Sequence, residues 1–347
     1  MLDAGMDQPR MPLRNPTSRD VLRNLLDAGA AFAPEYGGGL SSHLPMALSA
    51  LHSLGASDDR LRAFHARYST QLAHRRRMSA GAPAIDPWLS GLGQYACFDA
   101  LLQYALAAIR RDGRAHTLRQ FLPRLMPGVA AAAFHGLIRT AHGVAADHDG
   151  EVAAGLAYWA SRHLPPGQME PAHKGSLEIP DWLARLRALR SACRYSDPSI
   201  SARMERWFAV PGFAAAAESL YLTEQTLPTL ARRAAEFYAA SGDFIALHLV
   251  TGCHALQLLR PYLDGAPDAM RSFTNAIAAA LLASTVLDSP PGEAPLHESE
   301  RLDWAGICAQ AILSPDEHVI KLVHACRDLG EHFDDAVFKR AAARALI

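Results

Sequence analysis

Apolar residues along this chain recur at helical spacing, and the segments they form carry helix-start and helix-stop signals. Leu44, Met46-Ala47-Leu48 and Leu51 make an apolar staircase that Ser42 can cap and Gly55 can stop. Pro127-Gly128 opens a second segment that runs through His142-Gly143. Asp147 or Asp149 precedes a third, over residues 151–163, which ends at Pro165-Pro166. Asp243 can cap a fourth over 244–259, with Pro261 just past its end. Ser314-Pro315-Asp316-Glu317 reads as a capping box with proline at the first helical position, opening a helix that stops at Gly330. Period-two alternation is not sustained, and no Asn-Gly or Asp-Gly turn has β-branched flanks. The pattern predicts an all-α fold.

Two connections look long, 165–180 and 289–295, and the first could divide the chain into halves. The residues with chemistry fall on both sides of it, so the halves are expected to share a core. No internal repeat of fixed period is present, which argues against a solenoid. Residues 1–16, rich in Pro, Arg and Asp, are expected to form a flexible leader. Residues 17–347 are expected to form a single compact, non-repeat helical domain.

Composition narrows the function classes. With 50% hydrophobic and 20% charged residues the chain is not disordered in character. A net charge of −1 removes the electrostatic case for nucleic acid or an anionic membrane as a partner. The basic run His74-Arg75-Arg76-Arg77 reads as a solvated helix end. Apolar runs such as 276–283 are far shorter than the roughly 18–20 residues that cross a bilayer. Five scattered cysteines with no CxxC support neither a zinc knuckle nor a disulfide framework, and suit reduced thiols. The N-terminus has no apolar signal core, so a cytoplasmic protein is expected.

What remains is a set of histidines in apolar surroundings, where an unpartnered imidazole is costly to bury. His43 stands at a helix start behind the glycine-rich approach Tyr36-Gly37-Gly38-Gly39, which lacks the GK[ST] of a phosphate loop. His135 lies in an apolar run with Arg139 and His142 four and seven residues on, on the same face. His248 shares its face with Phe244 and Thr251, while His254 points about 120° away. His318 and Lys321 are three apart and face one side, and a lysine between Ile320 and Leu322 tends to lose its charge. Such an amine can ligate a metal, or take up carbon dioxide and become an anionic carbamate. The competing reading makes Lys321 a snorkelling lysine and the histidines satisfied core or cap residues. The chain has no HExxH, GxSxG, GxGxxG or carboxylate facial-triad motif.

His43-Leu44-Pro45-Met46, Phe134-His135-Gly136-Leu137-Ile138-Arg139, His248-Leu249-Val250-Thr251 and the segment Asp316 to Leu322 resemble motifs of the questin oxidase-like family, in the same order along the chain. Trp88, Gly93 and Tyr95, with Tyr104, look like a further family segment. The resemblance implies an oxidoreductase that opens or inserts oxygen into aromatic, quinone-like or polyketide rings, including Baeyer–Villiger-type oxidation, with dioxygen as co-substrate and NADPH as an electron donor. It further implies a mononuclear non-haem iron held by His43, His135, His248, His318 and a carboxylated Lys321, with His142 and His254 as competitors for a ligand position. Arg139 and Thr251 are then expected beside the ligands, and Tyr36, Trp88 and Tyr95 in an aromatic-binding pocket, with core packing as the alternative for these three. Two other classes stay open. One is a metal-dependent hydrolase with a carboxylated lysine, which needs two metals and a carboxylate ligand that no motif supplies. The other is a metal-free helical binding protein.

Overall fold

The helix signals in the sequence correspond to helices in the computed structural model, which describes residues 16–75, 87–167, 175–192, 197, 199–264, 266, 268–288 and 301–347. Residues 1–15 of the expected leader, the connection 289–295, Arg76, Arg77, Cys193, His173 and His297 lie outside the described residues, while Pro16 is helical. The chain begins with α1 (Pro16–Gly29), then the two-residue strands β1 (Glu35–Tyr36) and β2 (Leu40–Ser41), paired antiparallel around Gly37-Gly38-Gly39. There follow α2 (Leu44–Leu54), α3 (Asp58–Ser69), α4 (Pro87–Ser90), α5 (Phe98–Asp112) and α6 (Arg114–Leu125). Next come α7 (His135–Ala145), α8 (Asp149–Ser161), α9 (Ile179–Ala192), α10 (Ile200–Phe208) and α11 (Phe213–Ala217). The last are α12 (Thr226–Ser241), α13 (Phe244–Leu259), α14 (Asp268–Ala283), α15 (Trp304–Leu313), α16 (Glu317–Phe333) and α17 (Val337–Arg344). The fold is all-α, and the two short strands are the only sheet among the described residues.

Four helices form the inner group. α7 packs on α2 and α13, and α16 packs on α2 and α13, so each touches two of the others. α8 covers α7, α12 covers α13, and α17 covers both α12 and α16. One contiguous apolar cluster runs through all of these helices and includes residues on both sides of the connection 165–180, so the two sides share a core as expected. No described helix is long and apolar enough to cross a membrane.

Local signals account for the ends of the inner helices, with corrections. Asp243 caps α13 as expected, accepting hydrogen bonds from the backbone N–H of Ile245 (2.8 Å) and Ala246 (2.9 Å). Gly55, at φ 101°, ends α2 as expected, but its N-cap is His43 rather than Ser42. α8 is capped by His148, whose Nδ1 accepts from Glu151 N–H at 3.0 Å, in place of either aspartate. α16 is capped by Asp316, so Pro315 precedes the cap, and the helix passes Gly330 to end at Phe333.

The largest correction concerns the segment opened by Pro127-Gly128. It makes a short 3₁₀ turn at Met126–Gly128 and then leaves helical geometry, and α7 starts only at His135. Ala132, Ala133 and Phe134 all have positive φ, at 46°, 53° and 69°. Each such residue costs roughly 1–2 kcal/mol relative to a right-handed conformation. Trp159 Nε1 donates to the Gly128 carbonyl at 3.2 Å, which ties the start of this turn to α8.

α7 and α8 approach closely because glycines face the partner backbone. A Cβ on Gly155 would lie 2.6 Å from Thr140 N and 2.7 Å from Thr140 Cα, and one on Gly136 would lie 2.6 Å from Trp159 Cα. Backbone cannot yield as a flexible side chain does, so Gly155→Ala should lower stability by about 1–3 kcal/mol. Gly167→Ala, where a Cβ would meet nothing within 4 Å, should leave it unchanged. Chemical denaturation midpoints compare the two, and equal midpoints would refute the packing argument.

Candidate metal centre

His43, His135, His248, His318 and Lys321 meet at the N-terminal ends of α2, α7, α13 and α16. His43 is the residue before α2, His135 is the first of α7, and His318 is the second of α16, with Lys321 one turn further on. His248 lies in the second turn of α13. His43 Nε2 is 2.7 Å from His135 Nε2, and its Nδ1 is 3.1 Å from Lys321 Nζ. The ring centroid of His43 lies 4.7 Å from that of His135 and 4.6 Å from that of His318. His248 is 5.1 Å from His135 and 6.0 Å from His318 on the same measure. His43, His135, His248 and Lys321 are buried, and His318 is partly exposed.

The partners of the outer ring nitrogens fix which lone pairs are free. His135 Nδ1 is 2.5 Å from the Ala132 carbonyl, and His248 Nδ1 is 2.8 Å from the Phe244 carbonyl. A carbonyl only accepts, so both Nδ1 atoms carry the proton and both Nε2 atoms carry a lone pair. His318 Nδ1 sits 3.1 Å from Asp316 Oδ1 and donates in the same way. This is the arrangement that orients a metal-ligating histidine: one N–H held by a carbonyl or carboxylate, the opposite nitrogen left to bind. The left-handed run Ala132–Phe134 brings the Ala132 carbonyl under the His135 ring, which gives the strained turn a local role.

Burial sets the charge state. It pushes the pKa of His43 and His135 well below the usual histidine range, with Lys321 and the neighbouring imidazoles adding to the effect. His248 is lowered to about 3, first by burial and then by Lys321 and His318. Lys321 is lowered by burial to about 7, partly opposed by Glu317 and Asp316. A large share of Lys321 is therefore an uncharged amine near neutral pH, the form that ligates or takes up carbon dioxide.

Three residues near the site were not singled out from the sequence. Glu317 Oε1 lies 3.8 Å from His43 Nδ1 and 3.7 Å from His318 Nδ1, and ligand atoms of the three residues converge within 4.8 Å. It is a carboxylate that no motif showed, since adjacent helical positions point about 100° apart and nothing in the sequence indicated that Glu317 reaches the histidines. Phe244 contacts both His248 and His318, with ring centroids 4.7 and 4.8 Å away, and is half exposed. The Tyr68 hydroxyl accepts the His43 N–H at 3.2 Å and lies 3.4 Å from the Tyr36 hydroxyl.

The other candidates are placed elsewhere or one step out. Tyr36 reaches the cluster only through Tyr68. Trp88 stacks in the core with Tyr104 and Phe121, and Tyr95 lies under the Arg162 guanidinium at 4.2 Å. Arg139 forms a buried ion pair with Glu151, Nε to Oε2 at 2.9 Å, which joins α7 to α8. Thr251 Oγ1 donates back to the Leu247 carbonyl at 3.1 Å. His142 and His254 belong to a separate group with His324, and His148 is buried against Asp27.

With this geometry in view, comparison with known families is informative. The chain matches the family described as Questin oxidase-like over residues 40–326, a span that contains every residue of the cluster, and it belongs to that family. No curated protein matches the chain significantly.

The buried imidazoles make stability fall in acid. In the unfolded chain a histidine takes up a proton near pH 6.5, whereas folded His248 resists protonation down to about 3. The unfolded state thus binds more protons between those values, and stability present above about pH 6.5 is lost progressively as pH falls. For chelator-treated protein, His248→Leu should flatten the dependence of unfolding free energy on pH by about 1.4 kcal/mol per unit between pH 6 and 4. Denaturant titrations across that range measure it, and an unchanged slope would count against a neutral buried His248.

Proposed function

We propose that this member of the questin oxidase-like family is a non-haem iron oxygenase acting on a flat aromatic, quinone-like or polyketide substrate. The observation that carries the reading is the set of three neighbouring imidazoles whose Nδ1 atoms are held by Ala132, Phe244 and Asp316, so that Nε2 is the nitrogen each can offer a metal, that of His135 lying 2.7 Å from His43 Nε2. His43, His135, His248 and His318 would hold the ion with Lys321, in its carboxylated form, as the anionic ligand. An ammonium cannot stay beside a divalent cation, so a bound ion requires Lys321 to be neutral or carbamylated. Imidazole and carboxylate-type donors suit iron(II) better than a thiolate-seeking metal. Bound there, iron would supply the one-electron chemistry that lets dioxygen react with a closed-shell ring.

The remaining residues bind and position. Phe244 presents an exposed aromatic face against two ligand rings, where a planar substrate can stack. Burial holds the Tyr68 phenol protonated, with Glu317 reinforcing it, so its oxygen keeps the His43 backbone in place. Ring opening that incorporates both atoms of dioxygen needs no outside reductant. Baeyer–Villiger-type insertion of one atom releases the other as water and consumes two electrons, a role for NADPH.

One observation favours a second reading. Glu317 adds a carboxylate beside His43 and His318, the extra ligand that a hydrolase with paired metals and a bridging carbamate would need. Iron analysis and oxygen uptake separate the two readings. Iron(II)-loaded protein should consume dioxygen with a hydroxylated anthraquinone, and NADPH oxidation measured alongside tells the two oxygenation modes apart. His135→Ala should lose that iron and the activity, whereas two zinc ions at this cluster with ester hydrolysis and no oxygen uptake would establish the hydrolase.

Lys321→Ala should reduce turnover by at least about 100-fold, with helicity by circular dichroism unchanged. Removing bicarbonate during reconstitution should lower iron content in the wild type, and adding it back should restore the loss. Lys321→Glu should recover part of the iron, since it restores an anionic oxygen on a shorter arm. Normal iron content and turnover in Lys321→Ala would exclude the lysine as a ligand.

A further inference from the structure

Below the first cluster, the same three helices carry a second set of metal-binding groups. His142 follows His135 by seven residues on α7, His254 follows His248 by six on α13, and His324 follows His318 by six on α16. At 1.5 Å per residue these offsets are about 9–10.5 Å along each helix. Because each offset is toward the C-terminus and both sets converge, the three helices run side by side in the same direction. The second histidines are all buried, and their ring centroids lie 5.1 Å (His254–His324), 5.5 Å (His142–His324) and 6.4 Å (His142–His254) apart.

Asp328, one turn beyond His324 on α16, completes the group. Its Oδ2 is 3.2 Å from His254 Nε2 and 3.2 Å from His324 Nε2, and one ligand atom from each of the three residues lies within 4.8 Å of the other two. Bonds of about 2.0–2.1 Å to a tetrahedral zinc ion put neighbouring ligand atoms roughly 3.3 Å apart, so the two 3.2 Å edges already have the spacing of such a site. An independent sign is the unmet hydrogen-bonding capacity here. His142 Nδ1 is buried without a hydrogen-bond partner among the described residues, a costly arrangement unless another group engages the imidazole. On its outer side, Asp328 Oδ1 accepts from Arg327 Nη2 at 3.1 Å, which fixes the carboxylate in plane.

We propose that His254, His324 and Asp328, with His142 as the fourth donor, form a second metal site that takes a divalent zinc ion. The donor set is two imidazoles and one carboxylate around a common point, with the His142 ring packed against both histidines. An ion there would pin α7, α13 and α16 to one another two turns below the first cluster. It would thereby hold the helical register on which the positions of His135, His248 and His318 depend. The inference does not rest on the identity or presence of an ion in the first cluster.

Full-length protein stripped with chelator, loaded with zinc alone and passed through gel filtration should carry two ions per chain by elemental analysis. The double variant His254→Gln/Asp328→Asn should carry one, and His135→Ala should also carry one. A zinc-loaded crystal of the wild type should show an anomalous peak between His254, His324 and Asp328, a result that does not depend on any variant folding. No peak at that position, or a double variant with as many ions as the wild type, overturns the proposal and shows Asp328 to be a hydrogen-bond acceptor for two core histidines. If His135→Ala loses no ion while the double variant does, the first-cluster reading fails and the second site stands.

Discussion

Lys321 is enclosed to 1% exposure by α2, α13 and α16, with the His43 imidazole against its amine, and the arrangement of the inner helices follows from that enclosure. Lowering a lysine pKa from its free value to about 7 corresponds to roughly 5 kcal/mol of unfavourable burial. Neutral buried histidines add further cost in acid. A helical scaffold with no use for these groups gains nothing from keeping them together, since apolar residues of the same volume would stabilise the same core. Desolvation leaves the buried amine partly uncharged and the buried imidazole lone pairs unprotonated at neutral pH.

Four helix N-termini point at this group, and their geometry gives it a second property. The unsatisfied N–H groups of a first helical turn carry partial positive charge, which attracts anions and repels cations. A carbamate, the Glu317 carboxylate, or negative charge developing on oxygen or on a quinone is favoured at such a junction, and an ammonium is not. The supporting elements act at one remove. The α7–α8 contact through Gly136 and Gly155 allows Trp159 to reach the Gly128 carbonyl. That holds the left-handed turn whose Ala132 carbonyl orients His135.

Much of this was legible in the sequence, because the information was local. Helix-start signals near His43, Asp243 and Asp316 placed three ligand candidates in first or second turns, and the i, i+3 spacing of His318 and Lys321 put them on one face. Family motifs then named the five residues that the fold brings together. What was not legible depended on how helices pack. The break at Ala132–Phe134 arises from a tertiary hold on Gly128, which no propensity records. Trp88 and Tyr95 are aromatic residues whose neighbours are set by α5, α6 and Arg162, far from the histidines in sequence. The second group had a readable trace in the His324–Asp328 i, i+4 pair and in the near-equal offsets of six and seven residues from one histidine set to the next. Recognising it required knowing that α7, α13 and α16 are parallel, which is a property of the connections between them.

That parallel arrangement also governs when the site can exist. Three helices running in one direction cannot be joined by short turns, so each return passes through other elements, and Lys321 meets a histidine 278 positions earlier in the chain. During synthesis His43, His135 and His248 leave the ribosome well before α16 does, and the junction is open on one side until α16 docks. Contacts of such sequence separation are late events in folding, because their loop-closure entropy is recovered only when the intervening structure is already in place. The histidine–lysine junction is therefore closed by the last of its four helices to be made, and a chain that stops short of α16 lacks His318 and Lys321.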